Sequence, residues 1–455
     1  MSNINPTIFK AYDIRGRFPE EFNENDIEEI IGSYLDLVSK NLNKNISSLS
    51  ISIGKDIRPG SEIIHKKAIE LMVMAGVKVL DFDLVSVNDL YFAVGFYDLD
   101  GGIMATASHN PAGYAGIKMA YYTHNKDQGL SFINGEEIKN NLQAIVTSGG
   151  GLVEKKNLFN DHINWLLNNI DVNKIKPLKI VVDTGCGMNI LLLKDLFSRL
   201  PVETFFVNEE LDPSFSKRAP NPLEPGATTL AKQTLINHQA DLGLVYDVDG
   251  DRFFMLDEHG ELIKGDMTLI IIAEYLLKKF PGKSIVHNVI CSNSVAEKVK
   301  QLGGTPIRSK VGYKNLSGAM KNNNGIMSGE VSSHFAFSFS WFADSAFLAT
   351  LFSLEAISEK NRTLSQIVSE NMTWFRADEV NVNVNNPQEI INQAKTTFND
   401  GVIDELDGVT VVYSDWWLNI RASNTEPLIR ITVETKNKDD LETKKQLVLE
   451  KLKLN

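Results

Sequence analysis

The chain has 455 residues, 43% of them hydrophobic and 23% charged, a globular composition that excludes a disordered segment of this length. Lys and Arg number 46 against 58 Asp and Glu, for a net charge of −12, which excludes non-specific nucleic-acid binding as a function class. An anionic ligand must therefore meet basic residues that are concentrated locally.

In chain order, short β-branched runs alternate with longer amphipathic segments. "LSISIG" (49–54), "VKVLDF" (77–82) and "GIMATA" (102–107) read as strands, with a helix over "SEIIHKKAIELMVMAG" (61–76). The pattern returns with "LKIVVD" (178–183), "TFFVN" (204–208) and "DLGLVYD" (241–247), and again with "SIVHNVI" (284–290) and "GIMSGE" (325–330). Such alternation predicts mixed or parallel sheets covered by helices. The tail differs: "EVNVNVN" (379–385), "VTVVYS" (409–414) and "LIRITVETK" (428–436) alternate like antiparallel strands before an amphipathic final helix. The expected fold is α/β, with three similar α/β domains over 1–150, 151–255 and 256–368 and an α+β domain over 369–455. No run approaches the ~20 apolar residues of a spanning helix, and the first ten residues lack an apolar signal core. Cys186 and Cys291 are far apart in apolar surroundings and read as buried thiols of a reducing compartment. A cytoplasmic protein without membrane contact is expected.

Four motifs carry chemistry. "TASHNP" (106–111) sets Ser108 and His109 on a corner closed by Asn-Pro, where the serine is either a helix cap or a group that carries something. "DVDGDR" (247–252) follows an apolar strand with Asp247, Asp249 and Asp251 at alternate positions. Carboxylates so close repel, and all-oxygen donors suit a hard cation, Mg²⁺ or Ca²⁺. An EF-hand is excluded, because its sixth loop position needs glycine and here holds Arg252. "RASNTEPLIR" (421–430) offers Arg421 and Arg430 around Ser423, Asn424 and Thr425, donors that match a phosphate in number; by itself it reads equally as a turn with solvated arginines. "GEVSSH" (329–334) places Glu330, Ser332 and His334 on one face if the segment is extended, suited to sugar hydroxyls, though a polar strand edge is the plainer reading. No GxxxxGK[ST] occurs, so a nucleotide P-loop is unsupported.

Taken together, in this order and spacing, these four motifs resemble the α-D-phosphohexomutases, and among them the bacterial phosphomannomutase/phosphoglucomutase group. "FKAYDIRG" (9–16) and "PNPLEPG" (220–226) fit the same pattern. The resemblance spans the whole chain and implies four domains around a central cleft. It implies that Ser108 is the phosphoserine, and that Asp247, Asp249, Asp251 and the Ser108 phosphate hold one Mg²⁺ per chain. Lys118 and His109 become the proton-transfer groups, and Arg15 the stabiliser of the transferring phosphoryl, with Tyr12 and Arg252 nearby. Arg421, Ser423, Asn424, Thr425 and Arg430 take the other phosphate of the sugar, and Glu330, Ser332 and His334 its hydroxyls. The implied activity interconverts mannose 1-phosphate and mannose 6-phosphate through a hexose 1,6-bisphosphate, with glucose phosphates as the alternative and glucosamine phosphates a further one. A phosphosugar is then the partner, and a monomer or homodimer is expected. Three departures from the group's pattern bear on specificity: Tyr313 where histidine is usual, Ile290 where a basic residue is usual, and Ser333 for glycine or alanine. Lys310 or Lys314 is the compensating cation. Two other classes remain at this stage, a serine phosphatase and a non-catalytic sugar-phosphate sensor.

Overall fold

The computed structural model describes residues 4–423 and 428–454. The chain forms two compact units, one made of residues 1–263 and 333–365 and the other of 264–332 and 366–455. No helix among the described residues is long and apolar enough to cross a membrane.

The first unit includes two large sheets, besides the antiparallel pair Phe335–Phe337 and Ala343–Asp344. One runs in the order Ile14–Arg17, Tyr114–Tyr122, Gly101–Ala105, Ser50–Lys55, Lys78–Leu84, Leu152–Lys155, with Leu130–Ile133 added beside Tyr114–Tyr122. Its last four strands are parallel, and the Tyr114–Tyr122 strand is antiparallel to both of its neighbours in that order. Helices Ile27–Leu42 and Pro59–Met74 bury Ile30, Ile31, Leu35, Ile64, Ala68 and Leu71 on it. Each of the Ile and Leu side chains contributes about 1.5–3 kcal/mol through burial. Both faces are covered, so strands such as Gly101–Ala105 are apolar throughout rather than alternating. The other sheet has the order Phe253–Leu256, Leu242–Tyr246, Lys179–Asp183, Glu203–Val207, parallel except at its first pair. Residues 333–365 belong to this unit, and the wholly buried helix Ala346–Ser358 meets the second sheet where the Tyr246 hydroxyl lies 2.6 Å from Thr350 Oγ1.

The second unit pairs Thr305–Ser309, Ser284–Asn288 and Gly325–Gly329 in parallel. It also contains an antiparallel sheet in the order Phe375–Arg376, Leu428–Thr435, Trp416–Ala422, Val409–Val412, Val402–Asp404, with Val380–Asn383 on Leu428–Thr435. The tail is therefore α+β, with Ile391, Phe398, Leu418, Ile431 and Val448 in its core. The strands Ile14–Arg17, Tyr114–Tyr122 and Trp416–Ala422 are elements that the sequence pattern did not single out, because glycine and charged residues interrupt their alternation.

The "GEVSSH" segment departs from the extended form considered above. The strand ends at Gly329, a turn occupies 331–332, and Ser333 adopts φ 66°. The three polar side chains do not share one strand face. His334 falls in the first unit, where it bridges Arg252, while Glu330 and Ser332 stay in the second.

Candidate active site

Ser108 sits just beyond the parallel strand Gly101–Ala105, the end at which open α/β sheets bind ligands. It is 3% exposed and left-handed, at φ 53°. A non-glycine residue there is strained unless its surroundings hold it. Several groups do. The Ser108 N–H donates to Thr106 Oγ1 at 2.9 Å, and Asn110 N–H donates to the Ala107 carbonyl at 3.1 Å. Arg58 fills the inside of the turn: Nη2 donates to the carbonyls of Ser108 (2.7 Å) and Asn110 (2.5 Å), and Nη1 to that of Pro111 (2.8 Å). Its charge is met by Asp56, 3.2 Å from Nε, and the Phe215 ring lies 4.7 Å from the guanidinium. The serine is no helix cap, since the chain continues in a turn and then the strand Tyr114–Tyr122. Its hydroxyl lies 3.0 Å from His109 Nδ1. Burial first, and then the Arg252 and Arg15 cations, hold the His109 pKa well below its usual value, so this imidazole is neutral at pH 7.

Arg15, on Ile14–Arg17, reaches the same turn by donating to Asn110 Oδ1 at 2.7 Å and is paired with Asp13. Tyr12 lies half-buried in the bend before that strand.

The three aspartates follow the strand Leu242–Tyr246, all buried, with carboxylate oxygens that gather within 4.8 Å. The loop is pinned from several sides. Asn88 and Asn189 donate to the Gly250 carbonyl, Val87 N–H to that of Asp249 at 3.0 Å, and Met188 N–H to that of Val248 at 2.8 Å. Gly250 adopts φ 80°, and a Cβ there would lie 2.0 Å from Asn189 Oδ1, so only glycine fits this loop.

Two cations compensate the triad. Lys118, from Tyr114–Tyr122, donates to Asp249 Oδ2 at 2.7 Å and also pairs with Asp251. Arg252 donates to Asp247 Oδ2 through Nε at 2.7 Å. Burial alone would lower the Lys118 pKa, but Asp249 and Asp251 outweigh it and hold the ammonium well above its usual value. Asp251 is pushed up by burial and pulled well below the carboxylate range by Lys118 and then His334, whose Nε2 lies 3.4 Å from Asp251 Oδ1. Asp247 is pushed up to about 6, by burial foremost, with Arg252 opposing and Asp249 and Asp251 adding to the rise. Lys118 and Arg252 thus touch all three carboxylates but bring two positive charges against three negative ones, and Asp249 Oδ1 is buried without a hydrogen-bond partner. A buried orphan oxygen beside an uncompensated charge fits a hard divalent cation with oxygen ligands.

In the second unit, Glu330 accepts from the Gly312 N–H at 2.7 Å and from the Ser332 hydroxyl at 2.8 Å. Gly312 adopts φ 109° just before the helix Tyr313–Asn322, so Glu330 ties the "SKVGYK" loop down. Lys310 is exposed, Lys314 and Tyr313 are half-buried, and Ile290 is buried. Arg421 and Arg430 stand opposite each other on Trp416–Ala422 and Leu428–Thr435, and both donate to Glu379, at 3.0 and 3.1 Å. Ser423 follows Arg421 by two residues, its N–H bonded to the Leu428 carbonyl at 2.9 Å. Asn424 and Thr425 lie outside the described residues.

Ser108, His109, Arg15, Lys118, the three aspartates, Arg252 and His334 therefore come together in the first unit, and Arg421 with Arg430 in the second. Arg58, Asn88, Asn189 and Glu379 are polar groups that the motifs did not flag. "KDIRPG" carried a signal for Arg58, an Asp-x-Arg at a strand end. Glu379 was hidden as the first residue of an alternating run.

Four family models match in order: the phosphoglucomutase/phosphomannomutase α/β/α domains I (residues 6–147), II (159–260) and III (264–375), and the C-terminal domain (379–451). A phosphomannomutase of Escherichia coli K12 is 33% identical over 441 residues, covering 94% of this chain and 95% of the relative. An enzyme of Xanthomonas campestris described as phosphohexose mutases is 31% identical, covering 94% and 95%. A phosphoglucomutase/phosphomannomutase family protein of Burkholderia thailandensis shares the fold with a TM-score of 0.86 at 24% identity, covering 99% of each chain. The Paramecium phosphoglucomutase parafusin does so with a TM-score of 0.78 at 16% identity, covering 98% and 95%. The chain belongs to the phosphoglucomutase/phosphomannomutase family of α-D-phosphohexomutases, isomerases that move a phosphoryl group within a hexose phosphate.

Proposed function

We propose that the chain interconverts mannose 1-phosphate and mannose 6-phosphate, with Ser108 as the phosphoryl carrier. The observation that supports the carrier role is the left-handed Ser108, held by Arg58 and Thr106 beside a neutral imidazole. The choice of mannose follows the phosphomannomutase relatives at about one-third identity.

In this reading, the phosphorylated Ser108 meets a sugar monophosphate that presents its free hydroxyl. The Ser108 Oγ–P bond breaks, a bond from the sugar oxygen to phosphorus forms, and the hydroxyl proton passes to His109, 3.0 Å from Ser108 Oγ, and from there to the leaving serine oxygen. Lys118, as an ammonium, and the Arg15 guanidinium stabilise charge on the moving oxygens. The resulting hexose 1,6-bisphosphate turns over and returns its other phosphate to Ser108. Asp247, Asp249, Asp251 and the Ser108 phosphate would hold one Mg²⁺, which would neutralise charge on the phosphoryl group. Arg421, Arg430, Ser423, Asn424 and Thr425 take the phosphate that is not being transferred, in either orientation of the sugar. Glu330, Ser332 and Lys310 meet the sugar. His334, beside Asp251, acts on the phosphoryl side rather than on the ring hydroxyls considered from sequence. The domain limits near 150, 255 and 368 remain part of this proposal.

The test is an assay with Mg²⁺ and a trace of glucose 1,6-bisphosphate on mannose 1-phosphate and glucose 1-phosphate separately. A higher kcat/KM for mannose 1-phosphate supports the proposal. A higher value for glucose 1-phosphate moves the assignment to phosphoglucomutase and makes Tyr313 and Ile290 the first positions to exchange. Release of inorganic phosphate without isomerisation would indicate a phosphatase instead.

A further inference from the structure

Arg421 and Arg430 face each other directly across adjacent antiparallel strands, an arrangement in which like charges repel. Arg421 is 6% exposed, which makes an uncompensated charge there more costly. The carboxylate of Glu379 contacts both. Glu379 gives Oε2 to Arg421 Nη2 at 3.0 Å and Oε1 to Arg430 Nη1 at 3.1 Å. It lies just ahead of Val380–Asn383, a strand that pairs with Leu428–Thr435 through Asn381 opposite Arg430. The contact is one oxygen to one nitrogen on each side, not a parallel fork, and Nε of Arg421 is buried without a hydrogen-bond partner. The carboxylate thus sits on the pair in a geometry weaker than a bidentate grip, which a phosphate with three oxygens improves on.

We propose that Glu379 is an internal counter-ion that competes with the sugar phosphate for Arg421 and Arg430, and that it sets the affinity of this subsite by being exchanged on binding. The proposal rests on the assignment of the two arginines to the substrate phosphate. Its consequence concerns turnover. A bisphosphate that must release one end and rebind by the other is slowed by too tight a grip, and a resident carboxylate lowers that grip while keeping the guanidiniums aligned.

Inorganic phosphate is the probe, as a competitive inhibitor of mannose 1-phosphate isomerisation by the full-length enzyme. E379Q removes the charge at nearly constant shape. Its Ki for phosphate is expected to fall by about tenfold, with KM falling alongside and kcat reduced. E379D, which keeps the charge, is expected to remain within about twofold of wild type on the same grounds. A Ki that is unchanged or raised in E379Q, or lowered equally in E379D, overturns the proposal. R421A separates the two claims. If it raises KM and Ki while E379Q moves neither, the phosphate assignment stands and the counter-ion falls. If R421A moves neither constant, the assignment itself fails. A measurement on wild type guards against misfolded variants: saturating phosphate should speed hydrogen exchange in residues 378–384, and unchanged exchange there contradicts the exchange of partners.

Discussion

Asp247, Asp249 and Asp251 gather three negative charges at the end of a parallel strand, whereas Arg421 and Arg430 gather two positive ones across an antiparallel pair. The first group is buried and braced, with Lys118 drawn in from the strand Tyr114–Tyr122, Arg252 supplied by the same loop, and asparagines at 88 and 189 fixing the loop backbone. Among the described residues, the second is answered by the partly exposed carboxylate of Glu379, just ahead of the strand Val380–Asn383. A centre where a bond is broken gains from groups that need no reorganisation, because their orientation is already set when charge develops. A subsite that must release one phosphate and catch the other within a turnover would gain from a compensating charge that can be exchanged. On the proposed assignments, the two regions would stabilise opposite excesses of charge in different ways because one must hold still and the other must let go.

The largest effect that would break this comparison belongs to Ser108. If the braced region carries the chemistry, S108A loses on the order of 10⁴-fold or more in kcat, measured as isomerisation with bisphosphate present. Next, D249N removes one of the triad's carboxylate charges and should lower kcat by roughly 10² to 10³, with weaker Mg²⁺ binding by titration calorimetry. A variant that bound Mg²⁺ as wild type does would remove Asp249 from the ligand set.

Bracing itself is tested by R58M. Loss of the guanidinium leaves Asp56 unpaired and three carbonyls of the Ser108 turn without a donor. Unfolding stability should drop by about 3–5 kcal/mol in denaturant titration. On the looser side, R421A should raise KM by about tenfold to a hundredfold, the worth of a hydrogen bond to a charged group, with kcat changed less. A kcat loss like that of S108A would show that the two regions are not divided as argued.

The smallest expected effect lies away from both. Glu434 is buried at the start of helix Asn293–Gln301, where it accepts from Asn293 N–H at 2.9 Å and Trp417 Nε1 at 2.6 Å. Burial, opposed by these hydrogen bonds, pushes its pKa up to about 7. The folded state therefore holds a proton that the unfolded chain, with an ordinary glutamate pKa, has already released. Stability is full below the unfolded value and declines as pH rises towards about 7, by on the order of 1–3 kcal/mol. Melting curves from pH 5 to pH 8 should show this decline in wild type and a flatter profile in E434Q.

Much of this was legible in the sequence, for identifiable reasons. Parallel strands buried on both faces appear as short apolar runs, and "GIMATA" and "DLGLVYD" ended where the structure ends them, within two residues. The acidic triad was legible because like charges at that spacing need a cation whatever the fold. What sequence could not supply was pairing across long intervals. Nothing local to Arg58 says that it fills the turn at Ser108, or that Lys118 reaches the aspartates some 130 residues on. "GEVSSH" misled for a related reason. Alternating polar residues look like one strand face, yet a turn after Glu330 and the positive φ of Ser333 send His334 to Asp251. Glu379 went unnoticed because an acidic residue opening an alternating strand is ordinary until two arginines prove to be its partners.

The central claim, that Ser108 carries the phosphoryl group, is tested most directly by following the label. The enzyme is loaded with ³²P-labelled glucose 1,6-bisphosphate, separated from free sugar, and chased with unlabelled mannose 1-phosphate in Mg²⁺. The account predicts label on the peptide containing Ser108, absent in S108A, and its passage on chase into sugar bisphosphate and monophosphate. Label that sits on another residue, or that stays on Ser108 through the chase while isomerisation proceeds, would contradict it.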